Sequence, residues 1–304
     1  MTALLIVLAV GFAWSIGAHY TGAVMGMPHA LGAIGTWQAL VLMAPLAFLG
    51  ATFASHEVEK RVGSGLTDGA LSVSQQVVVI GVAFAVTTFF NRFRMPTSTI
   101  QILVFSVVGV ALATGTGVRW TSIGHLIGVW AAAPAAAVFL GLLLTLGLDR
   151  LELGGRIGTA LVAMGAIAAF AMGANDVSNA SGALVGTGTF SPLEAGAIGG
   201  AAIAVGVLTW GKPLLRRVAF EIVEVDRAMA TAAQLVQAGV VLVAVAFGFF
   251  TSMNQALVGA MAGAGFARGR ETVHLSTLVS ILQGWVLGPT VSIAAAYVFG
   301  LLVR

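Results

Sequence analysis

From Gly158 to Pro192 the chain carries one ionisable residue, Asp176, and comparable uncharged runs recur from end to end. Of 304 residues, 59% are hydrophobic and only 8% are charged. A soluble domain carries about 25% charge, so too few charges exist here to build a water-facing surface. Soluble enzymes and nucleic-acid-binding proteins are excluded on that ground. In lipid, backbone groups must pair internally, which leaves helices or a closed barrel. Barrel strands alternate polar and apolar residues, whereas these stretches are apolar throughout, so an all-α integral membrane protein is expected. The absence of cysteine removes disulfides and thiolate chemistry. The opening stretch lacks the basic n-region of a signal peptide and is read as part of the fold.

The chain also repeats itself. Gly17-Ala18-His19-Tyr20 through Gly26 lies over Gly173-Ala174-Asn175-Asp176 through Gly182. At the same spacing Gly50 meets Gly206, and Arg61-Val62 meets Arg217-Val218. Farther along, Thr97-Ser98 with Gln101 and Leu103-Val104 matches Thr251-Ser252 with Gln255 and Leu257-Val258. Gly109 matches Gly263, and Trp130 with Pro134 matches Trp285 with Pro289. Blocks recurring in one order at nearly one offset indicate two transmembrane repeats, 1–150 and 151–304, joined by a short charged turn.

Apolar stretches are expected near 3–16, 17–35, 37–54, 76–91, 98–114 and 123–147. The second half offers 157–172, 173–190, 194–211, 232–250, 254–267 and 275–303. A full crossing takes about 20 apolar residues, so several stretches are too short to span alone. The glycine- and serine-rich ones (17–35 and 98–114, 173–190 and 254–267) read as half-helices. Broken helices at matching places in two repeats point to a transporter's central site, although small residues also serve plain helix packing. If the repeats are inverted, Arg92 and Arg94 fall on one side with Lys212, Arg216, Arg217 and Arg227. Lys60 and Arg61 then fall on the other, and the richer side faces the cytoplasm.

Polar residues inside such a chain need a reason, because an ionisable group at membrane depth costs several kcal/mol, on the order of 3 or more. Asp176 sits with Asn175, Ser178, Asn179 and Ser181 in one segment. Asn175 and Asn179, four apart on a helix, share a face. Asp176, Ser178 and Asn179 offer oxygen ligands to a small cation, and a helix start offers N–H groups to an anion. The alternative is a polar capping cluster. In the matching block His19 replaces Asn175 and Tyr20 replaces Asp176. His19 is either a proton carrier or anion donor, or a hydrogen-bonded packing residue. His29 reads as structural. The second constellation is Pro96-Thr97-Ser98-Thr99 with Gln101, and Thr251-Ser252-Met253-Asn254 with Gln255. Hydroxyls at a helix start cap it and, with backbone N–H groups, make a neutral anion cradle.

At these residues the chain resembles the inorganic phosphate transporter (PiT) family. GANDVSNASG, residues 173–182, is similar to that family's duplicated signature, and the Pro96–Gln101 and Thr251–Gln255 blocks are similar to the motif that follows it. The resemblance covers essentially the whole chain, with the first-half signature eroded. It implies inverted repeats of transmembrane helices with broken half-helices at their interface, carrying an oxyanion by alternating access. Substrate contacts would come from Asn175, Asp176, Ser178, Asn179, Ser98, Thr99, Ser252 and Asn254, with His19 in the matching place. Asp176 and Asn179 would serve the coupling ion, which is sodium or a proton. Tyr20 in place of an aspartate removes part of the family's sodium ligand set.

Phosphate at neutral pH still carries a proton to donate to a carboxylate, whereas sulfate has none. Asp176 therefore favours phosphate if it faces the anion, while the loss of its twin moves toward the compact sulfate-permease branch of the same family. Expected partners are the inorganic oxyanion, the lipid bilayer of a prokaryotic plasma membrane and, as an open option, a second copy in a homodimer. No cofactor, resident metal or catalytic residue is expected. A passive anion channel and an intramembrane hydrolase are the competing classes, and the hydrolase lacks an acidic partner for Asp176 in the matching block.

Overall fold

The uncharged stretches fold as helices in the computed structural model, which describes residues 1–93, 97–151, 153–215 and 224–304. The helices are α1 (Thr2–Ala30), α2 (Thr36–Phe53), α3 (His56–Ser64), α4 (Val73–Phe93), α5 (Thr99–Thr114) and α6 (Trp120–Asp149). They continue with α7 (Arg156–Asp176), α8 (Ser178–Gly186), α9 (Pro192–Trp210), α10 (Arg227–Ala246), α11 (Met253–Phe266) and α12 (Leu275–Gly300). Among the described residues eight segments are long and apolar enough to cross a membrane, with α7 and α8 counted together as Arg156–Gly186. Pro96, Arg94, Glu152, Arg216, Arg217 and Val218 lie outside the described residues.

Two of the four expected half-helices stand alone. Segments 98–114 and 254–267 become α5 and α11, each too short to span. Segment 17–35 instead continues α1 without a break, because nothing between Ser15 and Tyr20 interrupts the helical ladder. Segment 173–190 divides only at Val177, whose φ of −59° and ψ of −35° are still helical. There the Ser178 hydroxyl donates to the Asn175 carbonyl at 2.6 Å and the Val177 N–H reaches Gly173 at a long 3.4 Å. The junction is a loosened turn in one crossing. Helix α3, amphipathic and charged, is an element that the apolar pattern did not announce.

Local chemistry accounts for several of the starts. Ser191 opens α9 with a capping box, its hydroxyl accepting from Glu194 N while Glu194 accepts from Ser191 N, ahead of Pro192. Asp226 caps α10 by accepting from Met229 N at 2.9 Å. The same carboxylate meets Arg268, which also grips Asp149, so one guanidinium ties together the ends of α6 and α11 and the start of α10.

Packing is crosswise between the two halves of the chain. Helix α1 lies on α9 and α2 on α7, while α5 lies on α12 and α11 on α6. Glycine makes these crossings possible. A Cβ on Gly17 would sit 2.1 Å from the Ile203 carbonyl oxygen, and one on Gly173 would sit 1.9 Å from that of Ala47. Gly109 against Ile293 and Gly263 against Val138 repeat the arrangement at the short helices. Backbones in contact gain dispersion energy, which drives association where lipid removes the hydrophobic effect. The start of α7 lies by the end of α1: Gly158 adjoins Ala33 and Arg227, and Arg227 donates to the Leu31 carbonyl. The two helices therefore run antiparallel. Large apolar side chains such as Phe53, Phe89, Phe139, Val286 and Leu302 stay exposed, as a lipid-facing surface requires.

Candidate functional site

The buried polar residues gather where the starts of α5 and α11 meet α1, α7 and α8. Ser98 caps α5 by accepting from Gln101 N, and Ser252 caps α11 by accepting from Gln255 N, both at 3.4 Å. Capping holds the third N–H of each helix and leaves Thr99 and Ile100, and Met253 and Asn254, without intrahelical acceptors. Both short helices so present N–H groups and the positive end of their dipoles to the middle of the protein.

The signature residues are divided between these two starts. Asn175 donates to the Thr251 carbonyl at 2.8 Å and accepts from Thr251 N at 3.1 Å, pinning the strand of backbone before α11. Asn179 donates to the Thr99 hydroxyl at 3.0 Å, and the Tyr20 hydroxyl pairs with the same Thr99 at 2.9 Å. One turn of helix thus reaches both short helices. Asp176 lies between, with Asn179 Nδ2 3.5 Å from its Oδ1 and Tyr20 facing its carboxylate. Ser178 turns back to the Asn175 carbonyl.

His19 takes the role in the first half that Asn175 takes in the second, approaching the Thr97 carbonyl. Its Nδ1 bonds the Asn91 side-chain oxygen, and Asn91 in turn donates to Ser15. Asn254 donates to the Thr97 carbonyl at 2.9 Å and lies 3.1 Å from His19 Nε2. With the proton on Nδ1, His19 donates to Asn91 and its Nε2 accepts from Asn254, which leaves the Thr97 carbonyl to Asn254 alone. His29, by contrast, bonds the Ile34 carbonyl at the end of α1.

Asn175, Asp176, Ser178, Asn179, Ser98, Thr99 and Ser252 are fully buried, and Asn254 is nearly so. Among the described residues no lysine or arginine is buried, and the only buried acids are Asp176 and Glu59. Several buried oxygens lack a hydrogen-bond partner, including Asp176 Oδ2, Asn179 Oδ1, Gln101 Oε1 and Gln255 Oε1. Such atoms are rare in folded proteins and invite a bound ion or water. No cluster of three His, Asp or Glu side chains able to hold a metal occurs among the described residues.

Sequence reasoning passed over four participants. Asn91 and the pair Gln234 and Gln237 are amides on spanning helices, where nothing in the apolar pattern marks them out. Gln234 donates to the carbonyls of Ala23 and Val24, beside Tyr20 and His19 on α1. Gln237 reaches the Met253 carbonyl. Glu59 is the fourth. It sits in α3, outside the spanning segments, and Ser181 of the signature segment donates to it. Burial pushes its carboxyl up to about 7, with Ser181 and Ser55 opposing that rise. A charge in an otherwise solvated-looking helix gave no sign of this burial.

A multi-pass helical protein whose short helices meet at a buried, charge-poor polar cluster belongs to the class of membrane transporters. A model described as the phosphate transporter family matches residues 16–161 and, a second time, residues 154–296. The chain belongs to that family. A sulfate permease of Bacillus subtilis is 27% identical, over 96% of this chain and 85% of that protein. A Pyrococcus furiosus protein provisionally named a phosphate permease is 23% identical, over 97% of this chain and 95% of its own. A solved structure titled "The sodium-dependent phosphate transporter" superposes with a TM-score of 0.90, 20% identity and coverage of 100% of this chain and 99% of its own, which establishes a shared fold.

Proposed function

We propose that the protein is a secondary transporter that moves inorganic phosphate across the membrane by alternating access, coupled to sodium or protons. The observation that carries this reading is the meeting of the α5 and α11 starts at a fully buried cluster of amides, hydroxyls and one carboxylate. The halves 1–150 and 151–304 act as inverted repeats, a relation supported by their crosswise packing and the antiparallel course of α1 and α7. The anion is held by N–H groups of the two helix starts, by Ser98, Thr99, Ser252 and Asn254, and by its own proton donated to Asp176. A cluster closed to both sides favours a carrier over a passive channel. The neighbouring side chains of Asp176 and Asn179 each keep one partnerless oxygen, which suits a hard cation such as sodium.

Sulfate is the second reading, favoured by two observations. Tyr20 occupies the place of the second carboxylate, and the alignment with the sulfate permease spans 302 residues, against 392 with the P. furiosus protein, so the compact length is shared. The test is uptake of labelled phosphate into proteoliposomes with unlabelled sulfate as competitor, under a sodium or a pH gradient in turn. Saturable phosphate uptake that resists sulfate supports the main reading, and uptake of sulfate alone replaces it with the second. Asp176→Asn is expected to abolish gradient-driven uptake; unchanged uptake and ion dependence would make Asp176 structural.

A further inference from the structure

A cavity of about 240 Å³ lies apart from the buried cluster, lined by Arg61, Arg119, Ser122, His125, Leu126 and Phe249. It is walled by the end of α3, the start of α6 and the link between α10 and α11. Antiparallel bonding of Thr67 with Val118, and of Arg119 N with the Leu66 carbonyl, holds the α3 and α6 walls together. The Arg61 guanidinium is stacked 4.4 Å from the Phe249 ring centre, which fixes its plane without neutralising it. Two acids stand close by: Glu57, which also interacts with Arg61, and Asp68. Glu57 pairs with Lys60 at 2.9 Å, and Asp68 stands 4.0 Å from Arg119. Two guanidiniums, an imidazole and a hydroxyl therefore converge on a water-accessible hollow.

We propose that this cavity is a second oxyanion-binding site, a vestibule that captures the anion before it passes Phe249 toward the buried cluster. The inference rests on the transport reading above. Phe249 stands two residues before Thr251, so the chain that walls the cavity runs on into the α11 start. The division of labour has a physical reason. The central cluster holds no cation, so it binds an anion only at short range through dipoles. Guanidiniums at the mouth act at longer range, raise the local anion concentration and offer paired N–H donors to a tetrahedral oxyanion. The phosphate of an anionic lipid headgroup shares this chemistry, and the experiment separates the two sources.

Binding of sulfate and of inorganic phosphate is measured by calorimetry on the full chain in nanodiscs of phosphatidylcholine. A Ser98→Ala/Ser252→Ala variant, weakened at the central cluster, is expected to keep a weak, salt-sensitive anion site. Adding Arg61→Gln and Arg119→Gln is expected to remove it. In uptake assays the Arg61→Gln/Arg119→Gln variant should raise KM about tenfold with maximal rate within about twofold, and the Lys versions should restore most of the KM. An unchanged KM, or a fall in maximal rate at constant KM, overturns the proposal. Loss of the anion signal when phosphatidylglycerol is included assigns the cavity to lipid headgroups and also overturns it. If no oxyanion is transported while vestibule binding persists, the transport reading fails and this site stands.

Discussion

Ser98 and Ser252 each cap a helix and, in the transport reading proposed above, also bind the anion. Each caps its short helix, and losing such a cap costs about 1 kcal/mol. Each also keeps a free O–H to direct at an anion. Ser98→Ala and Ser252→Ala should therefore cost uptake far more than stability, on the order of tenfold or more in rate against a few degrees in melting temperature. Ser106→Ala, on the same α5 but bonded to the Ile102 carbonyl, is the control and should leave uptake intact. Equal losses in all three variants would reduce the pair to helix capping. Glu59 makes a different prediction. Its carboxyl rises from 4.5 to about 7 on folding, so the folded state favours the protonated form. The packing of α3 on α8 is then at full strength below about pH 4.5 and is lost as pH rises through about 7. A shift of that size is worth about 3 kcal/mol. Melting curves in detergent from pH 5 to pH 8 should fall for the native chain and stay flat for Glu59→Gln; parallel slopes would count against the assignment.

At the scale of elements, helix existence was legible in the chain and helix continuity was not. Stretches 37–54, 123–147 and 194–211 return as α2, α6 and α9 almost residue for residue, because long uncharged runs in lipid have no other way to satisfy their backbones. Whether a glycine- and serine-rich run stands alone depends on what packs beside it, and α1 runs on where a break was expected. The glycines themselves were visible as a repeat, but their purpose is a contact between elements. Adding a methyl at Gly50 would place it 2.0 Å from the Phe170 carbonyl oxygen, and at Gly206 2.0 Å from that of Trp14. Gly50→Ala and Gly206→Ala should each force the α2–α7 or α1–α9 crossing apart and lower the yield of monodisperse protein severely. Gly147→Ala, with open space around it, should be tolerated. Size-exclusion profiles of the three variants give the answer directly.

At the scale of the whole molecule, the antiparallel course of α1 and α7 places the start of α10, with Arg227, beside the end of α1. Lys60 and Arg61 stand at the opposite end, with α3. Positive-inside bias then puts Arg227 and Lys212 in the cytoplasm and α3 outside. The native chain has no cysteine, so single-cysteine labelling is clean. Lys60→Cys should react with an impermeant maleimide in intact cells, and Lys212→Cys only after permeabilisation. The reverse pattern would invert the topology and place the basic vestibule on the cytoplasmic side.

The class of protein was decided by the sequence alone. Scarcity of charge dictated a membrane protein, internal similarity indicated two halves, and one acid among asparagines and serines marked a candidate functional segment, because an ionisable group in lipid is costly to keep. Tertiary structure decided which partners those residues meet. Asn175 and Asn179 lie on one helix face by spacing, yet one pins the start of α11 and the other the start of α5. Glu59, Asn91 and Gln234 joined the buried set only because helices distant in sequence close over them. Periodicity reports which face of a helix is apolar. It carries no information on which other helix, more than a hundred residues away, will cover that face.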